Sequence, residues 1–258
     1  MPKEKDFIEK TFEEMNEMER LKYETAAELG LLDQLKKSGW KSLSASETGR
    51  LGGIMNRKIR KQKEVRKIRK EVKMNKPCFI AVTNRNLCKR PFFDVIEDLS
   101  KKDVKTIVLR EKDLSEEEYY EIAEKCKEIC DRNGASLTIH NFIDVARRLG
   151  IKKIHLPYPV FLKEAGNLSD FESVSTSIHK PEEAIKAQKL GVDFVFAGHV
   201  FVTDCKKGLP PRGLEFLTDV VNAVKIPVYG IGGINEENIT KIMECGAAGG
   251  CMMSGFMK

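Results

Sequence analysis

Between residues 78 and 253 the sequence alternates short apolar runs with amphipathic stretches, and few architectures accommodate that rhythm. Eight runs recur: CFIAVT (78–83), KTIVLR (105–110), ASLTIH (135–140), KKIHLP (152–157), ESVSTS (172–177), VDFVFA (192–197), IPVYGI (226–231) and AGGCMM (248–253). Strands with no polar face must be buried on both sides. Where helices separate them, that means a parallel sheet covered by those helices. Eight such units predict a (β/α)8 barrel, a TIM barrel, with a doubly wound open sheet as the competitor.

The stretches between the runs carry helix signals. Ser115 precedes three acids, the arrangement of an N-cap and a first turn. After it Tyr119, Ile122, Ala123, Cys126, Ile129 and Cys130 recur at helical spacing, so the two cysteines share a packed face. Gly150, Gly191 and Gly246 stand at C-terminal stops, and Pro181 suits a first helical turn. The sequence runs only to GFMK after the eighth run, so the expected barrel lacks its last helix. The apolar face left over is then expected to be covered by another segment or a partner.

Residues 1–74 do not share the alternation. They read as helix interrupted at Gly30 and Gly39, then a turn, SASETGRLGG, leading into a basic helix. The charge divides at the same place. Residues 1–74 hold 19 Lys and Arg against 13 Asp and Glu, whereas residues 75–258 hold 26 of each. Residues 57–73 alone carry ten basic and two acidic side chains. Two modules are expected, 1–74 and 75–258, with Met74 where the barrel's own start would fall. The basic run, including Arg57, Lys58, Arg60 and Lys61, suits nonspecific contact with duplex DNA. Its alternative is a solvated helix linking the modules. No apolar run reaches the roughly 20 residues of a membrane span, and no secretory signal opens the sequence. Seven irregularly spaced cysteines without a CxxC pair read as reduced thiols, hence a cytoplasmic location.

In a barrel the reactive face is built at the C-terminal ends of the strands. The four histidines fall there or nearby: His140 after run three, His155 late in run four, His179 after run five and His199 after run six. Gly232 and Gly233 follow run seven, and Ser254 and Gly255 follow run eight. Loops of this kind bring backbone N–H groups and a helix N-terminus to a phosphate; their alternative is tight turns. Arg110 and Lys112, two apart on an extended segment, face the same way and suit an anion, or else a surface ion pair with Glu111 or Asp113. The stretch GHVFVTDCKKGLPPRG (198–213) adds Lys206, Lys207 and Arg212 on a backbone stiffened by Pro210 and Pro211. It reads as a basic flap over an anionic substrate, or as a solvated loop.

Several of these stretches together resemble one family. IVLREK, HNFIDVARRLG, IHLP, HKPEEAIKA, FAGHVFVTDCKKGLPPRG and IGGI with MSG are similar, in order, to the thiamine phosphate synthase/TenI superfamily. The 198–213 stretch resembles its TenI branch, the thiazole tautomerases, which aromatise a carboxylated thiazole phosphate. The resemblance implies His179 as the catalytic acid/base, with Arg110, Lys112, Asn141, Lys207, Gly232, Gly233, Ser254 and Gly255 around a thiazole phosphate. It implies neither cofactor nor metal. The sister activity, thiamine phosphate synthase, uses Mg2+, and that branch carries Asn-Asp after strand three and a glutamine in strand two. Here those positions read His140-Asn141 and Val108, and hard oxygen ligands for magnesium are missing. KYETAAELGLLDQLKKSGW and LSASETGRLGGIMNRKIRK resemble the α/β-type small acid-soluble spore proteins, which coat double-stranded DNA. That likeness implies a spore core as the setting.

Three readings result. The first is a thiazole tautomerase with a DNA-binding N-terminal segment. The second is a magnesium-dependent thiamine phosphate synthase, and the third a spore DNA-coating protein carrying a degenerate barrel. Self-association stays open.

Overall fold

The computed structural model describes residues 15–73, 78–203, 206 and 208–257, with the backbone alone at residues 17 and 61–73. The chain divides into two compact units, Met1–Glu64 and Val65–Lys258. The division lies within one continuous helix, ten residues ahead of the boundary expected from composition. Met74 lies outside the described residues.

The second unit is a closed eight-stranded parallel barrel in chain order, which excludes the open sheet. Its strands are β1 (Phe79–Val82), β2 (Val104–Leu109), β3 (Leu137–His140), β4 (Lys153–Pro157), β5 (Ser173–Ile178), β6 (Phe194–Gly198), β7 (Val228–Ile231) and β8 (Gly249–Met252). β8 closes onto β1 through the pairs Phe79–Gly250, Ile80–Cys251 and Ala81–Met252. The helices on the outside are α4 (Phe92–Ser100), α5 (Glu116–Asn133), α6 (Ile143–Arg148), α7 (Tyr158–Glu164), α8 (Pro181–Lys189), α9 (Gly213–Ala223) and α10 (Ile239–Glu244). Ser115 caps α5 in a reciprocal box with Glu118, and Gly134 ends it in the left-handed conformation. After β8 comes α11 (Ser254–Met257), one turn instead of a full helix. It buries Met257 and sets Phe256 edge-on to Phe79, ring centroids 6.1 Å apart.

Alternation along the strands sorts the side chains. Ala81, Ile107, Leu109, Ile139, Ile154, Val174, Val195 and Val228 pack outward under the helices. Ile80, Val82, Val108, Phe194, Phe196, Tyr229 and Cys251 gather inside the barrel. The interior is apolar beside β6, β7, β8 and β1. Across β2 to β5 it is polar, with Thr106, Thr138, His140, His155 and Ser175 all buried. Buried polar groups must find partners. Accordingly Thr106 and Thr138 share a hydrogen bond of 2.9 Å, and Lys153 donates to Ser136 at 2.7 Å.

The first unit is helical. α1 (Glu17–Glu28) starts in a capping box of Asn16 with Glu19, α2 (Leu32–Ser38) follows, and α3 (Ala45–Lys73) is long. Gly30 and Gly39, both at positive φ, make the breaks expected from the sequence. The stretch SASETGRLGG is not a turn. Ser44 and Glu47 bond reciprocally and start α3 there, and Leu51 packs on Ala26, Leu31 and Leu35. Tyr23 meets Trp40 edge-on at 5.1 Å, and the Lys22 ammonium sits 3.9 Å from the indole centroid. Among the described residues no helix is long and apolar enough to cross a membrane.

Candidate active site

The rim is assembled by strand alternation, which turns residues two apart to one side. On β5 and its loop, Ser175, Ser177 and His179 follow one another. The sequence HKPEE then opens α8, with Pro181 at the first helical position. The Glu183 carboxylate reaches back to accept the His179 amide at 2.6 Å. The His179 ring is held as well, with Nδ1 2.8 Å from the carbonyl oxygen of Gly198 at the end of β6. A carbonyl only accepts, so Nδ1 carries a hydrogen and donates it. In the neutral ring Nε2 is then the basic nitrogen, a fixed tautomer suited to proton transfer.

The other histidines separate from it. His155 is not at the rim. It lies within β4, 2% exposed, its nitrogens 2.9 Å from Ser175 Oγ and 2.8 Å from Ser177 Oγ, its ring stacked on Phe196 at 4.2 Å. His140 closes β3 and is 8% exposed, its ring 5.8 Å from that of His155. Burial, then the charges of Arg110 and Lys112, push its pKa down to about 3. Burial, then His140 and Arg110, also hold His155 well below the usual imidazole range. Both shifts favour the neutral ring at physiological pH. His199 is part-exposed, with Nε2 3.4 Å from the Leu209 carbonyl.

The cations lie close enough to feel one another. Lys112 is depressed by burial, then by Arg110 and Lys206, which fits a small cluster of positive charge beside His140. Glu111 and Asp113, the partners weighed from the sequence for Arg110 and Lys112, both pair with Arg85. Beneath this loop the Tyr119 hydroxyl of α5 donates to the Leu109 carbonyl and accepts the His140 amide at 3.2 Å, tying β2 to β3. Asn141 is exposed at φ 71°, a left-handed position that asparagine tolerates. Lys207 lies outside the described residues.

The glycines after β7 also make room for a neighbouring loop. A Cβ on Gly232 would stand 2.3 Å from His199 Cβ, and one on Gly233 would stand 2.4 Å from the Val202 carbonyl oxygen. They are small because the β6 loop passes directly over them, with Phe201 N–H donating to the Gly232 carbonyl at 3.0 Å. The amides of Glu237 and Asn238, just ahead of α10, already have an acceptor. Asn235 Oδ1 accepts from Glu237 and Asn238, both at 3.0 Å. What the two loops offer is the amides of Gly232, Gly233, Ser254 and Gly255, which donate to no acceptor among the described residues.

Magnesium fits this donor set poorly. The β2, β3 and β5 ends present Arg110, Lys112, His140, Asn141 and His179, cations and neutral groups. The carboxylates of Glu111 and Asp113 are taken by Arg85.

In the first unit Lys58 pairs with Glu28 at 2.8 Å, Arg57 is half-buried and Arg60 is exposed. Lys61 is described by its backbone alone.

A closed parallel barrel with a held histidine and clustered cations at its strand ends defines a (β/α)8 enzyme acting on a small anionic substrate. Residues 79–256 match the family model described as thiamine monophosphate synthase, TMP-TENI, and the chain belongs to that family, as an enzyme of thiamine biosynthesis. Residues 11–66 match the model of small, acid-soluble spore proteins, alpha/beta type. The thiamine-phosphate synthase of Fusobacterium nucleatum is 34% identical over 68% of this chain and 87% of its own. That of Clostridium acetobutylicum is 35% identical over 68% and 85%. A solved structure, thiamine phosphate pyrophosphorylase from Pyrococcus furiosus, superposes with a TM-score of 0.58 at 29% identity, covering 68% of this chain and 85% of that one.

Neither Glu183 nor the Gly198 carbonyl was singled out in the sequence, although both hold His179. The Glu183 bond leaves a local signal, an acid in the first turn four residues after the histidine. The Gly198 carbonyl leaves none, because it acts from the neighbouring strand.

Proposed function

We propose that the barrel is a thiazole tautomerase, converting a carboxylated thiazole phosphate from its exocyclic-alkene tautomer to the aromatic ring. The observation that carries this reading is the restrained His179, Nδ1 on the Gly198 carbonyl and amide on Glu183, with Nε2 left as base. Aromatisation takes one proton from a ring carbon and delivers one to the exocyclic carbon. A single imidazole alternating between base and acid can serve both transfers. The substrate carries a phosphate and a carboxylate. The amides of Gly232, Gly233, Ser254 and Gly255 would take one, and Arg110 with Lys112 the other. The test supplies the alkene tautomer to the full chain, with and without EDTA, and follows the aromatic chromophore. Turnover that persists in EDTA and falls about 10²–10⁴-fold in His179→Ala supports the reading. A variant within about threefold of the parent would assign the chemistry elsewhere.

A second reading is the magnesium-dependent synthase, favoured by the names of the relatives at 34% and 35% identity. The scarcity of carboxylates at the strand ends argues against it. Metal-dependent release of pyrophosphate from a pyrimidine pyrophosphate and a thiazole phosphate, at an enzymatic rate, would establish it. For the N-terminal segment, residues 1–74, we propose nonspecific binding of duplex DNA through the basic run at 57–73, supported by the match of residues 11–66 to the spore-protein model.

A further inference from the structure

Arg85, in the loop after β1, sits between two acids that alternate in sequence with Arg110 and Lys112. Its guanidinium forks onto Asp113, Nη1 to Oδ1 at 2.6 Å and Nη2 to Oδ2 at 2.7 Å, and Nη1 also lies 3.3 Å from Glu111 Oε2. Its backbone amide donates to the same Glu111 carboxylate at 3.0 and 3.1 Å. Glu111 is 2% exposed and takes a further bond of 2.6 Å from the Thr83 hydroxyl. That hydroxyl in turn accepts the Arg110 amide at 2.9 Å. Glu111 and Asp113 are thus held by Arg85, while Arg110 and Lys112 lie close enough to His140 to lower its pKa.

We propose that Arg85 is a positioning residue that diverts charge: it neutralises Asp113 and, with it, Glu111, so that the positive field of Arg110 and Lys112 reaches the substrate anion. The proposal rests on the reading that the barrel mouth binds an anionic substrate. Without the guanidinium, Glu111 keeps the Thr83 hydroxyl and the Arg85 amide, but Asp113 loses both strong bonds. An uncompensated carboxylate, 51% exposed, then stands one residue from Lys112. It repels an incoming anion and competes for the ammonium. A passive brace would behave differently, because its loss could not be mended by removing a second charge.

That difference supplies the test. Inorganic pyrophosphate is titrated calorimetrically into the full chain at low ionic strength, where screening is weak. The variants are Arg85→Gln, Asp113→Asn, the two combined, and Lys112→Ala. Circular dichroism and a thermal melt establish that each is folded. Arg85→Gln is expected to weaken binding about tenfold, the scale of one unit charge at roughly 10 Å and an effective dielectric near 20. Asp113→Asn in the Arg85→Gln background is expected to return the affinity to within about twofold of the parent. If Arg85→Gln binds normally, or if the double variant stays as weak as the single, Arg85 diverts no charge and the proposal falls. If the parent binds no pyrophosphate, or Lys112→Ala leaves binding intact, the anion site itself is misplaced; the proposed function then loses its cation subsite and the clasp falls with it.

Discussion

Acid should loosen the barrel well before it titrates ordinary carboxylates. His140 and His155 are kept neutral inside it, the first at about 3 and the second well below its usual range. In the unfolded chain both titrate near 6.5. Below that pH the unfolded state binds protons that the folded state refuses, so stability falls as pH falls and recovers as pH rises. Each histidine costs about 2 kcal/mol between pH 7 and pH 5, about 4 kcal/mol for the pair. That is a large share of a typical stability of about 5–15 kcal/mol. Urea titrations at pH 7, 6 and 5, followed by far-ultraviolet circular dichroism, read the effect. The chain provides its own control. The single tryptophan, Trp40, lies in the first unit, which contains none of the four histidines. Its fluorescence transition should lack this dependence. His155→Gln should roughly halve the slope between pH 6 and pH 5, whatever it does to stability at pH 7. A barrel transition that loses less than about 1 kcal/mol from pH 7 to pH 5 would refute the argument, since one buried neutral imidazole alone exceeds that.

Tyr119→Phe keeps the buried ring but strips partners from the Leu109 carbonyl and the His140 amide; urea titration should register a loss of about 2–4 kcal/mol. Gly232→Ala puts a Cβ against His199 at a positive φ and is expected to cost about 3 kcal/mol, read as a lower melting temperature. For the full chain on random duplex DNA, neutralising six phosphates would give a log–log salt slope of about −5. Lys58→Ala should leave that affinity within about twofold of the parent, because Glu28 already occupies Lys58; a larger loss in a filter-binding titration would contradict this.

The barrel was legible because eight apolar runs leave one economical closure, and Ser115, Pro181 and Gly150 mark element ends through local chemistry. α7 was harder. PYPVFLKE reads as a continuation of run four until Pro157 and Pro159 are recognised as the start of a helix. SASETGRLGG was mistaken for a turn because its glycines outweighed a capping box spanning only four residues. The site was half legible. His179 and the Arg110–Lys112 pair sit where strand ends must place them. The partners of Glu111 did not follow from the sequence, since Arg85 reaches it across 26 residues, from the loop after the neighbouring strand. Nor did the burial of His155, which depends on hydroxyls of the adjacent strand.

Barrel enzymes are commonly pictured as a scaffold with exchangeable loops, each free to vary without consulting its neighbours. The loops after β6 and β7 do not meet that description here. Val200 and Phe201 donate to Ile231 and Gly232, Arg212 and Gly213 return to His199 and Val200, and the two glycines leave no room between the crossing backbones. They behave as one interchangeable part. A graft of the 198–213 stretch into another barrel would carry its conformation only if residues 231–233 travelled with it. In a lineage of such proteins, a larger residue at 232 or 233 could be accepted only alongside a rerouted neighbour. Inheritance of the two segments is then joint, although 17 residues of chain separate them.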